Sequence, residues 1–383
     1  LLSAGNVEQA RSTAAAELEA APDNLSALFV LSEIERFSGD SVAQRAALDK
    51  LLARDPANAD GQAAMGNLLF DDKNYRAAKS AFNQALSSNP VHAEALLGLG
   101  QVQFRMDDMN GALATLDKAL ATYPSDPLVR LDRSRVLYQL GRYGECESEL
   151  DEAVRLAPDS SWSYLERGRL YLDTGRTEAA LADFSSSIEL NPDYFLPYVY
   201  RAGILEEAGE VERALADYRR ITKLYPDYWY AFESIGALSY RMGAWRAAWE
   251  AFDKAASHSD AHPEYLIAAG LSLMRDGDAK AAKDYAAKKL SRIDKEKYPS
   301  QWLMLRLVYD QTDMSSELEI RISSEKSRDL KAGILFYLGS YWIARGKPEL
   351  GSKYLKLSAD EGRTGVIEFH MAEADLKRLA ARQ

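Results

Sequence analysis

Side chains that could carry out chemistry are few in this sequence, and none forms a catalytic or metal-binding motif. Cys146 is the single cysteine, and no motif places beside it the base that a cysteine nucleophile needs. His258 and His262 lie four residues apart with Asp260 between them, a spacing that suits a pair of zinc ligands on a helix. Pro263 follows directly and favours a loop over a helix. Walker loops, Gly-x-Ser-x-Gly elbows and His-Glu-x-x-His motifs do not occur. The sequence therefore predicts a protein that is not an enzyme and holds no metal or cofactor.

The charge balance argues against nucleic acid as a partner. The 383 residues include 47 lysines and arginines and 58 aspartates and glutamates, a net charge of −11, whereas nucleic-acid-binding domains usually carry a basic face. One basic stretch, residues 280–297, is interrupted by three acidic residues and is interpreted as a solvated helix face. No uninterrupted apolar run of about 18 residues occurs, which predicts that no segment crosses a membrane.

The segments that would carry any binding residues recur along the chain with a fixed period. Seven prolines are spaced 34 residues apart, and a period of 20 to 50 residues is typical of chains built from copies of one supersecondary unit. The seven are Pro22, Pro56, Pro90, Pro124, Pro158, Pro192 and Pro226.

Other positions repeat with the prolines. When the third residue after each proline is position 1, small residues fall at positions 8 and 20, large apolar residues at 7, 11 and 24, and glycine often at 15, where a helix must end. Cys146 falls at position 20, which predicts a small, buried, unreactive side chain. Examples of positions 7, 8, 20 and 24 are Met65, Gly66, Ala78 and Phe82; Leu99, Gly100, Ala112 and Leu116; and Gly168, Ala180 and Phe184. This pattern resembles the tetratricopeptide repeat family.

The resemblance implies an all-α fold, a right-handed superhelical solenoid of helix–turn–helix repeats. We expect residues 1–24 to hold the second helix of a truncated N-terminal repeat and residues 25–262 to form seven consecutive repeats. Residues 263–383 are expected to form divergent repeats with helices at 299–310 and 315–326 and a terminal capping helix at 366–380.

In this family the first helix of each repeat lines a concave groove, chiefly through positions 2, 5, 9, 12 and 13. The resemblance therefore implies a set of groove residues in this chain. They are Phe70, Leu97, Gln101, Phe104, Arg105, Leu131, Arg135, Tyr138, Trp162, Leu165, Arg169, Val199, Tyr230, Tyr240 and Arg241.

Large apolar side chains with isolated arginines suit a protein or peptide partner with apolar anchors and some acidic groups, because aromatic residues and arginine dominate binding energy at interfaces. The alternative for any one of these side chains is simple packing between helices. Aromatic residues at 194–200 and 225–232 fit two interpretations, a rim that binds a partner or side chains that fill gaps between repeats. The clamp by which some relatives hold the C-terminal carboxylate of a chaperone is absent, since position 5 holds residues such as Ala63, Leu97 and Val199 in place of lysine.

Three kinds of function fit the pattern. The first is a non-catalytic scaffold or adaptor that binds a peptide or partner helix in its groove. The second is a structural component of a bacterial cell-envelope or motility assembly that uses its convex and terminal surfaces and can self-associate. In the third, an N-terminal part that precedes this sequence carries an enzyme, and this chain is its targeting arm. The C-terminal third loosely resembles exported bacterial members of the family, which favours an envelope-associated location over a cytoplasmic one. The C-terminal helices could also fold back and occupy the groove themselves.

Overall fold

The computed structural model describes residues 6–312, 315–361 and 366–381. Within these ranges the chain forms twenty-two α-helices and no strand. The first eleven are α1 (Val7–Ala20), α2 (Leu25–Ser38), α3 (Ser41–Arg54), α4 (Ala59–Asp71), α5 (Tyr75–Ser88), α6 (Ala93–Arg105), α7 (Met109–Thr122), α8 (Pro127–Gln139), α9 (Tyr143–Leu156), α10 (Ser161–Asp173) and α11 (Thr177–Leu190). The others are α12 (Phe195–Glu207), α13 (Val211–Leu224), α14 (Trp229–Met242), α15 (Trp245–His258), α16 (Glu264–Arg275), α17 (Ala279–Lys289), α18 (Pro299–Asp310), α19 (Ser315–Ser324), α20 (Arg328–Ala344), α21 (Pro348–Glu361) and α22 (Ile367–Ala380).

The chain divides into two compact units, unit 1 (Leu1–Asn191) and unit 2 (Pro192–Gln383). In both units most helices form antiparallel pairs of consecutive elements, such as α4 with α5 and α14 with α15. The pairs begin every 34 residues at Leu25, Ala59, Ala93, Pro127, Ser161, Phe195 and Trp229, the residues that the proline period marks. The predicted all-α helical-repeat fold is confirmed.

Each proline turn in unit 1 is followed by a residue that caps the next helix. Asn24 accepts a hydrogen bond from the backbone N–H of Ala27, and Asn58 accepts one from Gly61 at 2.9 Å. Such a cap stabilises a helix by about 1 kcal/mol because it satisfies an N–H group that has no partner inside the helix. His92, Asp126 and Ser160 do the same at the following turns.

In unit 2 the corresponding positions are Tyr194 and Tyr228, whose side chains do not cap the helices that follow. Their rings instead join an aromatic cluster with Phe195 and Tyr225, with ring centroids 5.2–6.5 Å apart. Aromatic residues from both groups seen in the sequence therefore pack together at a repeat junction, although Tyr225 remains 46% exposed.

Small residues at position 8 allow the two helices of a pair to approach closely. A Cβ atom added at Gly66 would lie 2.6 Å from the Phe82 ring, and one at Gly168 would lie 2.8 Å from the Phe184 ring. Both phenylalanine side chains are fully buried. These contacts explain why glycine and a large residue recur 16 positions apart.

Position 7 departs from the sequence expectation in three repeats, where arginine replaces the large apolar residue. Arg167 contacts both carboxylate oxygens of Asp183 at 2.8 and 2.9 Å, and Arg201 contacts both oxygens of Asp217 at 2.8 Å. Arg133 forms the equivalent pair with Glu149. A charge at this position is tolerated because the second helix of the same pair supplies its partner.

The turn between paired helices places position 15 in the left-handed region. Gly39, Gly141, Gly175, Gly209 and Gly243 have φ angles between 70° and 79°. Two repeats hold a residue with a side chain there, Lys73 with φ 59° and Asp107 with φ 64°. These two turns are strained relative to the others, since a Cβ atom disfavours this conformation.

The end of unit 2 folds back on its earlier helices. Helix α20 of the pair α20–α21 packs against α16 and α18, and α22 contacts α14, α20 and α21. The terminal helix is therefore joined to helix α14, which begins more than 130 residues earlier in the chain.

Candidate peptide-binding groove

A cavity of about 440 Å³ lies in unit 1 along the first helices of three consecutive pairs, α6, α8 and α10. This size falls within the range of roughly 300–1,000 Å³ that is common for ligand pockets. Eight of the predicted groove residues line it. They are Phe70, Gln101, Phe104, Arg105, Arg135, Tyr138, Trp162 and Arg169.

Aromatic rings form the walls of this cavity, which we call the unit 1 groove. Phe104 and Tyr138 are half-buried against the core cluster beneath them, and Trp162 is 46% exposed. The Arg135 guanidinium lies 5.6 Å from the centre of the Trp162 ring, and that of Arg169 lies 5.8 Å from the centre of the Tyr138 ring. Arginines over ring faces hold these side chains in place and leave apolar area facing the cavity.

The floor of the unit 1 groove is a continuous chain of hydrogen bonds between charged and amide groups. Gln101 donates from Nε2 to Asp132 Oδ2 at 2.6 Å, and Arg135 donates from Nη1 to Asp132 Oδ1 at 2.9 Å. Arg135 also donates from Nε to Glu166 Oε1 at 3.1 Å, and Arg169 donates from Nη1 to Glu166 Oε2 at 2.9 Å. The chain runs across α6, α8 and α10 and fixes these three helices in one register.

Burial raises the pKa of the Asp132 carboxyl above its ordinary value, although the hydrogen bond from Gln101 and the charge of Arg135 act in the opposite direction. Asp132 is thus an internal structural group whose two oxygens already have donors. It is not an open acceptor for a ligand.

Arg105 differs from the other two arginines of the groove. It ends α6, and its exposed side chain forms no hydrogen bond or ion pair with any residue that the structure describes. It is therefore a cation that stays accessible at the edge of the aromatic walls.

Two predicted groove residues are core residues instead. Leu131 and Leu165 are almost completely buried, and Leu131 packs in the cluster that contains Leu116 and Leu150. The prediction that they face a ligand is wrong because packing between helices covers both side chains. Leu97, at the same position, is half-buried against that cluster and does not line the cavity.

Four other predicted residues belong to unit 2. Val199 is half-buried, Arg241 pairs with Glu206 at 3.5 Å, and Tyr230 is exposed with its ring stacked on Trp229 at 3.6 Å. None of them lines the unit 1 groove.

The fourth, Tyr240, is buried by the terminal helix α22, so its expected exposure in a groove is also wrong. Its hydroxyl donates to Asp375 Oδ2 at 2.8 Å and lies 2.6 Å from Ser340 Oγ. Arg275 donates to both oxygens of Asp375 at 2.7 and 2.8 Å, and Arg378 donates to the backbone oxygen of Tyr240. In unit 2 the chain's own C-terminal helix covers a residue at a groove position.

Sequence reasoning missed the acidic residues Asp132 and Glu166. Both occupy position 6, and each accepts a hydrogen bond from position 9 of the preceding repeat, 31 residues earlier. The recurrence of an acidic side chain 31 residues after Gln101 and after Arg135 is the signal that could have revealed the floor.

Cys146 and the histidine pair do not form reactive sites among the described residues. Cys146 is buried, and burial together with nearby carboxylates raises the pKa of its thiol to about 12. His258 ends α15 and stacks on Phe232, whereas His262 lies in the following loop beside Glu264. The described ranges hold no group of three or more His, Cys, Asp or Glu side chains arranged around a metal position.

None of the described helices has the length and apolar character needed to span a bilayer.

Comparison with known families identifies the repeat. Two family models, both described as tetratricopeptide repeat, match the chain, one at residues 1–59, 63–127 and 165–229 and the other at residues 104–167. Together they cover more than half of the sequence, and the chain belongs to the tetratricopeptide repeat family. No curated protein matches it.

Several solved structures are similar to part of the chain. The chain is similar to PilF of Pseudomonas aeruginosa at 18% identity and a TM-score of 0.48, over 53% of this chain and 92% of that one. It is similar to PilW, described as a type IV pilus biogenesis factor, at 21% identity and a TM-score of 0.49, over 53% of this chain and 94% of that one. It is also similar to YrrB, described as having an unusual peptide-binding site, at 21% identity and a TM-score of 0.39, over 48% and 95%.

Proposed function

We propose that this protein is a non-catalytic scaffold that binds a peptide segment of a partner protein in the unit 1 groove. Membership of the tetratricopeptide repeat family indicates protein–protein interaction as the general role. The observation that carries the finer proposal is a cavity of about 440 Å³ whose aromatic walls stand on a floor of fully paired charges.

The groove suits a peptide for two physical reasons. Exposed aromatic surface such as that of Trp162 gains free energy when it is covered, at about 25 cal/mol per Å². The floor adds rigidity, because Arg135 and Glu166 are held by partners on adjacent helices before any ligand arrives. A preformed site binds more tightly than one that must be ordered on binding.

The covered groove position in unit 2 favours unit 1 as the binding site for an external ligand. Its groove position Tyr240 is covered by α22 through buried hydrogen bonds to Asp375 and Ser340. A ligand at Tyr240 would first have to displace this helix, whereas nothing among the described residues of unit 1 covers Trp162 to the same degree.

Selection from a random peptide library displayed on phage tests the proposal. The immobilised protein should enrich a family of sequences, and Trp162→Glu should abolish their binding because it places a charge on the groove wall. Val42→Glu is the matched control, since Val42 is also an exposed apolar residue at the second position of its helix but lies on α3, away from the groove. Equal loss of binding in both variants, or no enrichment at all, would show that the groove is not the binding site.

A further inference from the structure

Charged side chains line the unit 1 groove unequally. Three arginines and two carboxylates face it, namely Arg105, Arg135, Arg169, Asp132 and Glu166. The groove therefore carries a positive excess, although the whole chain has a net charge of −11. A local reversal of sign at a concave site attracts ligands of the opposite charge.

The excess positive charge of the groove resides on Arg105. Arg135 bridges Asp132 and Glu166, and Arg169 is bonded to Glu166, so that these charges largely neutralise one another. Arg105 is exposed and makes no hydrogen bond or ion pair with the described residues. It is the cation of the groove whose guanidinium donors remain open to a ligand.

Arg105 follows Phe104 directly at the end of α6, so an apolar wall and the open guanidinium adjoin each other. We propose that the unit 1 groove recognises an internal peptide segment in which an aromatic or large aliphatic side chain enters the cavity and a neighbouring aspartate or glutamate pairs with Arg105. This inference rests on the proposed function and adds the chemistry of its ligand.

The geometry favours a side-chain carboxylate over the other possible partners of Arg105. A guanidinium binds one carboxylate through two parallel hydrogen bonds, which gives both charge and direction. A lysine or arginine in the ligand would face Arg105 without a free carboxylate, because the oxygens of Asp132 and Glu166 already have donors. Capture of a terminal carboxylate commonly relies on a backbone nest or a set of donors, and here the other two arginines are engaged.

Library selection separates this inference from the proposed function. Peptides fused through their C-terminus to the phage coat have no free terminal carboxylate, so enrichment reports internal residues alone. Selection on the wild type should enrich an acidic residue beside an aromatic or aliphatic one. Selection on Arg105→Glu should lose that acidic preference and gain a basic one.

The affinity of one enriched peptide, made with an amidated C-terminus, gives the quantitative test. A hydrogen bond to a charged group is lost in Arg105→Gln, and affinity should fall about tenfold or more. Arg155→Gln, an exposed arginine on α9 outside the groove, is the control and should leave affinity unchanged. Circular dichroism of each variant verifies that the helices remain formed.

The outcomes are distinguishable. Enriched peptides that lack acidic residues, bind Arg105→Gln as tightly as wild type and are lost in Trp162→Glu would overturn the acidic-ligand inference and leave the groove as the binding site. Absence of enrichment, or binding that Trp162→Glu leaves intact, would overturn both.

Discussion

Replacement of Asp375 by leucine should release the terminal helix α22 from the other helices of unit 2. Asp375 is fully buried, and it accepts two hydrogen bonds from Arg275, whose side chain is only 9% exposed. Its removal leaves a buried guanidinium without a carboxylate, and breaking a buried pair in this way costs about 3–5 kcal/mol. Since about 1.4 kcal/mol is a factor of ten, α22 should open roughly a hundredfold to several thousandfold more often.

Hydrogen–deuterium exchange followed by mass spectrometry measures this opening. Amide protons of peptides from 367–380 should exchange faster by that factor in Asp375→Leu, while peptides from α8 in unit 1 serve as the internal reference. Local readout is preferable to one global unfolding curve because helical-repeat chains need not unfold in a single step.

A double variant separates the buried charge from simple loss of packing. Arg275→Met with Asp375→Leu removes both members of this pair and leaves Arg378, which lies 3.5 Å from Asp375 in the wild type, as the remaining charge. Apolar replacements of a buried pair are often neutral or stabilising. Exchange in α22 should therefore return most of the way to wild type. Asp193→Leu is the control at an exposed ion pair: it removes the partner of Arg220 and should lower the stability by no more than about 1 kcal/mol. Exchange in Asp375→Leu that stays within a few-fold of wild type, or a double variant as open as the single one, would contradict the role of the Arg275–Asp375 pair in holding α22.

Three further outcomes follow from single residues. Glu368 is half-buried beside Tyr337, with Glu264 and Glu233 nearby, and its pKa is raised to about 7 mainly by desolvation. Because the folded pKa lies above the ordinary value of 4.5, the contribution of Glu368 to stability declines as the pH rises from 4.5 to about 7. Urea titrations should therefore find Glu368→Gln more stable than wild type at pH 8, by about 1–3 kcal/mol, and equal to it near pH 4.5. Lys73→Gly should raise the melting temperature, because glycine adopts the left-handed φ of this position without strain and should increase the free energy of unfolding by about 0.5–1 kcal/mol. A lower melting temperature in calorimetry would contradict this. The Cys146 thiol should react with a disulfide reagent only after addition of urea, because it is buried and its pKa is raised to about 12; rapid labelling of the native protein would be inconsistent with that burial.

The helix pairs could be predicted from the sequence because their determinants are local. A proline turn, a capping residue such as Asn58, a small residue such as Gly66 and a left-handed turn residue recur with one period. Each acts within its own helix pair, so the spacing alone defines where helices begin.

The groove could be predicted only in part, since its residues depend on packing between repeats. Trp162 and Phe104 line it as expected, but Leu131 and Leu165 are buried by packing between helices. The burial of Tyr240 depends on a residue 135 positions later in the chain, and no periodic pattern encodes such a contact.

The side chains that a bound peptide covers can be measured directly by hydroxyl-radical footprinting with mass spectrometry. A peptide enriched on the wild-type protein is added at saturation, and oxidation of exposed side chains is compared with and without it. We expect protection of Phe104, Tyr138 and Trp162 and unchanged oxidation of Val42 on α3 and Tyr230 in unit 2. Saturating peptide that protects Val42 or Tyr230 and leaves the three groove rings as reactive as before would contradict the unit 1 groove as the binding site.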